Sequence, residues 1–283
     1  MQNKIISFGE IVWDIFGEKK SLGGAPLNFA YFCRKFGADA RVVSAVGNDN
    51  LGRQALEAMA KNKIPADFVE VQCGAETGKV LVSVSDGAPS YEICAPAAWD
   101  NIKLNQPALE FAASASAIAF GTLAQRGEVS RQNLFKAIRA TSKKCLKVFD
   151  ANLRQSFYSK DILHRSLDVA NILKISDEEL IIISKMFSIS GTESECARAL
   201  FKMFNLSYLL LTCGARGHLV LTEKEEIKGE SKAKVITDTV GAGDSFTARF
   251  ACEILSGKPA AEAAELAAQT AAEVCAQVGA IRI

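Results

Sequence analysis

Histidine is nearly missing from this chain: of its 283 residues, only His164 and His218 carry an imidazole. That scarcity argues against a His-rich transition-metal centre. There is no CxxC pair either. The eight cysteines, at 33, 73, 94, 145, 196, 213, 252 and 275, are scattered. Cys33 in NFAYFCRKF and Cys252 in RFACEIL sit among apolar neighbours, which reads as buried free thiols in a reducing compartment rather than disulfides. Neither sign of charge is in surplus, since 33 Lys and Arg against 32 Asp and Glu leave a net +1. A nucleic-acid or membrane-surface binder would show a basic patch or tail, so neither partner is expected. No uncharged apolar run approaches the roughly 20 residues that span a bilayer. Even the apolar-looking AAEAAELAAQTAAEVCAQ has Glu262, Glu265 and Glu273 as the wet side of a helix. The opening MQNKIISFGEIVWDIF does not read as a signal peptide, because Gly9, Glu10 and Asp14 interrupt its apolar run. The expectation is a soluble, cytoplasmic protein whose 49% hydrophobic residues can fill one large core or two modest ones.

What is present is an alternation of β-rich and helical runs. KIISFG (4–9) reads as a strand, and APLNFAYFCRKFG (25–37) as a helix with Pro26 in its first turn and Gly37 as its stop. RVVSAV (41–46) follows as a strand and LGRQALEAMAKN (51–62) as a helix. AIAFG (117–121), LKVFD (146–150), NILKIS (171–176) and YLLLTC (208–213) are further strands, with helical patterns between them. Such alternation predicts an α/β fold with a mainly parallel sheet covered on both faces, whose ligands gather at the carboxyl ends of the strands. One region breaks the rhythm. Residues 67–93 read DFVEVQ, TGKVLVSVSDG and PSYEI, hairpin signals divided by Asp86-Gly87. A small inserted antiparallel sheet is expected there as a lid or interface, with an antiparallel extension of the main sheet as the alternative.

Six segments fall where strands end or helices begin. In DTVGAGDSF (238–246), Gly241 and Gly243 flank Ala242 ahead of the helical SFTARFACEIL. A helix start without intervening side chains offers N–H donors to an anion such as phosphate. Asp244 in that first turn is either a dipole-favouring cap or a catalytic carboxylate. Asp14 in FGEIVWDIF can accept hydrogen bonds from substrate hydroxyls, or be an ordinary loop acid. Gly23 and Gly24 of LGGAPLNFA permit close approach at a helix start, and Asn28 offers both a donor and an acceptor. Asp150, Asn152 and Arg154 follow a strand end in FDANLRQSFY; Arg154 either meets phosphate or substrate oxygens or pairs with Asp150. In LKISDEEL, Glu179 either orients a metal-bound water or phosphate or serves the helix dipole along with Asp177 and Glu178. Thr212, Gly214 and Gly217 in TCGARG either let a nucleotide lie against backbone or form a plain hairpin turn. GAGDSF lacks the third glycine of GxGxxG, with Phe246 in its place, and no GxxxxGK[ST] occurs, so dinucleotide and P-loop sites are disfavoured.

The early GGAPLNFAYFCRKFGADARVVSAVGNDNLG followed by DTVGAGDSF resembles the paired signature of the ribokinase-like (PfkB) sugar kinases, and LKISDEEL and TCGARG fall in that family's order. The likeness covers nearly the whole chain. GEIVWDIF, LGGAPLNFAY, AAWD (97–100), FGTLAQR (120–126) and DANLRQSFYSKDIL look most like bacterial fructokinases, which phosphorylate D-fructose at its 6-hydroxyl using MgATP. The resemblance implies one ribokinase-like α/β/α domain over 1–283, with a lid formed mainly by 67–93 and part of 10–20. It implies that Asp14, Gly23, Gly24, Asn28, Asn152 and Arg154 hold the sugar. Gly241, Ala242 and Gly243 would form the anion hole, with Asp244 as the base. Thr212, Gly214, Gly217 and Lys174 would serve the nucleotide. Glu179 would act on Mg2+ through water, while Asp238 and Val240 would join a monovalent-cation loop for K+. A homodimer through the lid is also implied. The family's Asn-x-x-Glu appears here as Ser176-Asp177-Glu178-Glu179, so water bridges the shorter side chain or Asp177 substitutes. A kinase for another ketose, a sugar acid or a nucleoside, and a non-catalytic sugar sensor, are the competing readings.

Overall fold

The computed structural model describes residues 2–85 and 88–281; the expected Asp86-Gly87 turn lies outside them. The first strands are β1 (Lys4–Phe8), β2 (Val12–Phe16), β3 (Lys19–Gly23), β4 (Asp39–Gly47) and β5 (Val69–Gln72). Next come β6 (Gly78–Ser85), β7 (Ala88–Ile93), β8 (Ala117–Gly121) and β9 (Leu146–Asp150). The last are β10 (Ile172–Ser176), β11 (Tyr208–Thr212), β12 (His218–Leu221) and β13 (Glu226–Gly229). Helices α1 (Ala25–Lys35), α2 (Asn50–Lys61), α3 (Gln106–Ala113), α4 (Glu128–Ala140) and α5 (Lys160–Val169) are followed by α6 (Asp177–Met186), α7 (Glu193–Met203), α8 (Ala242–Leu255) and α9 (Ala260–Cys275).

The main sheet runs β13-β12-β11-β10-β9-β8-β1-β4-β5. Strands β5 through β11 in that row pair in parallel, while β12 and β13 add an antiparallel edge. Alternation along each strand sorts side chains into two cores. Ile118, Phe120, Leu209 and Leu211 pack on the side of α4 to α7, and Ala117, Ala119 and Leu210 on the side of α1, α8 and α9. Both faces are dry, so these strands read as continuous apolar runs, as a helix-covered parallel sheet requires. The three-layer α/β architecture expected from the sequence is therefore the observed one. Helix α1 stops at Lys35, two residues short of the expected Gly37. Gly37 has a left-handed φ of 86° and donates its N–H to the Arg34 carbonyl at 2.9 Å, closing the helix end.

A second sheet, β3-β2-β6-β7, stands apart. Its extent corrects the expected lid boundaries. Val69–Gln72 pairs in parallel with β4, from Ser44↔Val69 to Gly47↔Gln72, and so belongs to the main sheet. The outer edge of β4 has backbone groups to satisfy, and this nearby strand satisfies them. The small sheet instead takes in Lys19–Gly23, which pairs with β2, and it is mixed: β2 and β6 run parallel, while β2–β3 and β6–β7 are antiparallel. Its base is pinned by Arg126, which reaches Asp100 at 2.7 Å, donates to the Cys94 carbonyl at 3.0 Å, and lies over the Trp99 ring. All eight cysteines are free and six of them are buried, as their apolar settings suggested.

Candidate active site

Strand β1 connects through α1 to β4 on one side, and the chain later returns to place β8 on its other side. Strand order reverses here, and the crevice beyond the carboxyl ends of β1 and β8 is where such sheets bind ligands. Glu10 and β2 follow β1; Asp150 ends β9, with Asn152 and Arg154 just beyond it; and α8 brings its N-terminus to the same place. Gly241 precedes that helix at φ 79°, with no side-chain cap. A Cβ at 241 would strike Ala280, so glycine is required by both space and dihedral.

Helix α1 packs against α8, and Asn28 on α1 donates from Nδ2 to Oδ2 of Asp244 at 2.8 Å, across 216 residues of sequence. The Oδ1 of Asn28 is buried without a partner among the described residues. Lys174, 8% exposed, enters from β10 beneath Gly243: its Nζ stands 3.1 Å from where a Cβ of residue 243 would lie. The same ammonium reaches Oδ1 of Asp150 at 3.1 Å. That settles one alternative, because Asp150 pairs with Lys174 rather than with Arg154. Burial pulls the Lys174 pKa down, but Asp150, Glu179 and Asp244 outweigh it and hold the ammonium above its ordinary value. Burial lifts the Asp244 carboxyl above the usual range, against the pull of the Asn28 hydrogen bond, Lys174 and Arg154.

Glu10, 4% exposed, is a further acid that sequence reasoning used only to exclude a signal peptide. Burial drives its carboxyl up to about 7, opposed by backbone N–H donors at Glu10 and Ala25 and by Arg154, while Asp244 adds to the rise. Together with Asp150, Asn152 and Asp244 it lines a cavity of about 20 Å3 at the strand ends. Asp14 lies within β2 rather than just past β1, paired with Ser21 of β3. Burial and Asp238 raise its carboxyl, and Arg154 opposes them. Arg154 thus acts on Glu10, Asp14 and Asp244 alike. Gly23 packs against the Asp14 carboxylate, and a side chain on Gly24 would run into the Glu10 carbonyl.

On the other flank of α8 lies a second, larger chamber of about 210 Å3. Thr212, Gly214 and Gly217, from the β11–β12 turn, line it together with Ala242 and Gly243. The helix start therefore separates two spaces, with Gly243 facing the larger and Asp244 the smaller.

Residues 2–283 match the pfkB family of carbohydrate kinases. The chain belongs to that family. Among its relatives is a fructokinase of Klebsiella pneumoniae, 29% identical over 88% of this chain and 83% of that one. An uncharacterized sugar kinase from Pyrococcus horikoshii superposes with a TM-score of 0.85 at 25% identity, covering 98% of this chain and 93% of that one. A fructokinase from Xylella fastidiosa with bound ATP shares the fold at a TM-score of 0.84 and 20% identity, over 99% and 94% of the two chains.

Against the PfkB pattern, Ser176 has a local explanation. Its Oγ accepts the Glu179 N–H at 3.1 Å and Glu179 Oε2 accepts the Ser176 N–H at 2.7 Å, a capping box that starts α6. Glu179 Oε1 also accepts the Leu153 N–H at 2.7 Å, tying α6 to the loop that carries Asn152 and Arg154. Asp177 pairs with Arg216 at 2.9 Å, in the β11–β12 turn. Asp150, Glu179 and Asp244 all face Lys174, an oxygen donor set that fits a hydrated magnesium ion. Asp238 closes the loop before α8, accepting from Val240 N at 3.0 Å and from Gly279 N at 2.9 Å. Among the described residues no helix is long and apolar enough to cross a membrane.

Proposed function

We propose that this PfkB protein transfers the γ-phosphoryl group of MgATP to a sugar hydroxyl, with D-fructose and its 6-hydroxyl as the preferred acceptor. One observation carries the reading: the N-terminus of α8, without a side-chain cap, divides a chamber of about 210 Å3 lined by Gly243 from a cavity of about 20 Å3 where Asp244 joins Glu10 and Asp150. Phosphoryl transfer demands alignment and stabilisation of charge on the moving group. The Gly241 and Gly243 N–H groups at the start of α8 and the Lys174 ammonium supply that stabilisation already oriented, while the Ala242 N–H donates to the Thr239 carbonyl. Asp244 takes the proton from the attacking hydroxyl, and its raised pKa suits the task. Asn28 holds Asp244 through Nδ2 and offers its unpartnered Oδ1 to a sugar hydroxyl. Asp14, Gly24, Asn152 and Arg154 complete the acceptor site; Thr212, Gly214 and Gly217 receive the nucleotide. Magnesium, held through water by Glu179 and Asp150, would screen the phosphate charge. Asp238 and Val240, in the turn before α8, would take part in a potassium site beside the anion hole.

The small sheet acts as a lid that keeps water from the γ-phosphate. Phe16 and Tyr91 are 51% and 57% exposed on one face of it, which supports pairing of lids between two copies. The fructose preference draws on the names of relatives at 29% identity and below. The test is ATP consumption by purified protein with fructose, ribose, gluconate derivatives and adenosine in turn, repeated with Asp244→Asn. Fructose should give the highest kcat/KM, and the variant should remain folded and bind sugar while its kcat falls about 10²–10⁴-fold. Near-normal turnover by Asp244→Asn would refute the base, and preference for another acceptor would replace fructose.

A further inference from the structure

His218, one of only two histidines, lines the larger chamber and is 7% exposed. It begins β12, on the face that also turns Val220 towards α8 and α9. Its ring packs on Phe246 of α8 with centroids 5.2 Å apart. In the β12–β13 ladder it stands directly opposite Gly229, and a Cβ at 229 would run into the imidazole. The ring therefore folds across β13 into the chamber, in a place that only glycine leaves open.

The surrounding walls explain what this placement does. Ala242, Gly243, Phe246, Ala268, Ala271 and Ala272 are small or apolar. Their flat, dry surface suits the faces of an aromatic base but offers nothing to the polar groups on its edge. Thr212, Glu230, Ser231, Lys232 and Thr239 also line the chamber, from the β11–β12 turn and the 230–239 segment; on the β12, α8 and α9 walls His218 is, among the described residues, the one nitrogen- or oxygen-bearing side chain. Burial lowers its pKa, with Glu265 opposing and Lys232 adding to the fall, which favours the neutral ring with one donor and one acceptor. A neutral imidazole in an apolar slot is a hydrogen-bonding group, not a counter-ion.

We propose that His218 hydrogen-bonds the polar edge of a purine, at the end bearing the 6-substituent, and so sets which nucleoside triphosphate this protein accepts. The inference rests on the larger chamber being the nucleotide site, as the kinase reading has it. Gly229 is its positioning partner, needed because any side chain there displaces the ring.

The test is calorimetric nucleotide binding together with steady-state kinetics at saturating sugar, using ATP and purine riboside triphosphate, which lacks the 6-amino group. Wild type should favour ATP by about three- to tenfold, the worth of one hydrogen bond. His218→Val should bring the two nucleotides level, through a weaker ATP Kd and a raised ATP KM. Gly229→Ala should do the same with the histidine retained, and His218→Gln, which keeps a donor and an acceptor, should restore part of the preference. An unchanged ATP-to-analogue ratio in His218→Val overturns the proposal. Wild-type protein that binds ATP with this preference but never transfers phosphate refutes the kinase reading and leaves His218 standing; failure to bind either nucleotide overturns both.

Discussion

Glu10→Gln tests whether the floor of the site is as dry and as acidic as it looks. The carboxyl rises from its ordinary 4.5 to about 7 in the folded protein, chiefly through burial. A carboxyl with a higher pKa folded than unfolded holds its proton more tightly in the native state. Stability is therefore greatest below pH 4.5, falls as pH climbs from 4.5 to about 7, and levels off above that. At 1.36 kcal/mol per pH unit, the span from 4.5 to about 7 amounts to about 3 kcal/mol lost to wild type by pH 8.5. Glutamine has the same shape, keeps an oxygen for the Glu10 and Ala25 N–H donors, and has no proton to lose. The assay is urea unfolding of both proteins between pH 5 and 8.5. The variant should gain about 2–3 kcal/mol on wild type over that range, most of it between pH 5 and 7. A stability difference that stays constant with pH would show that Glu10 ionises as an ordinary carboxylate, and the buried acid floor would have to be abandoned.

Asp14→Ala should raise the sugar KM strongly with little change in the ATP KM; an unchanged sugar KM removes Asp14 from the acceptor site. Lys174→Met strands the buried Asp150 carboxylate beside Glu179 and Asp244, and should cost about 3–5 kcal/mol in urea unfolding. Adding Asp150→Asn to it should recover most of that loss, and no recovery would mean the pair is not coupled. Because burial raises the Asp244 carboxyl, the acid limb of kcat against pH should have its midpoint above the ordinary aspartate value of 3.8, and Asp244→Asn should abolish that limb.

Much of this protein is legible residue by residue. Apolar strand runs alternating with helical ones predicted the α/β order, because each strand feeds two cores, as Ile118 and Phe120 do on one side and Ala117 and Ala119 on the other. The helix start at DTVGAGDSF was readable because glycines, a leading acid and an apolar helical repeat are local signals. The same segment's capping-or-catalysis ambiguity was not resolvable there. It depends on Asn28, 216 residues away, and on Lys174, whose place beneath Gly243 follows from the strand order of the main sheet.

Tertiary structure alone made several other decisions. Val69–Gln72 carries a strand pattern that suits either sheet, and the open edge of β4 captured it. Ser176 looked like a defective metal ligand until its capping box with Glu179 was visible. Glu10 gave no sign of its acidity, because a pKa shift is set by whatever surrounds a group once the chain has closed over it. His218 is a lone histidine in sequence and an edge-reading group only when Gly229 stands opposite and α8 and α9 wall the chamber. Periodicity and capping are short-range and are written into adjacent residues; burial, charge coupling and the shape of a pocket arise between segments far apart in the chain, and only folding brings those together.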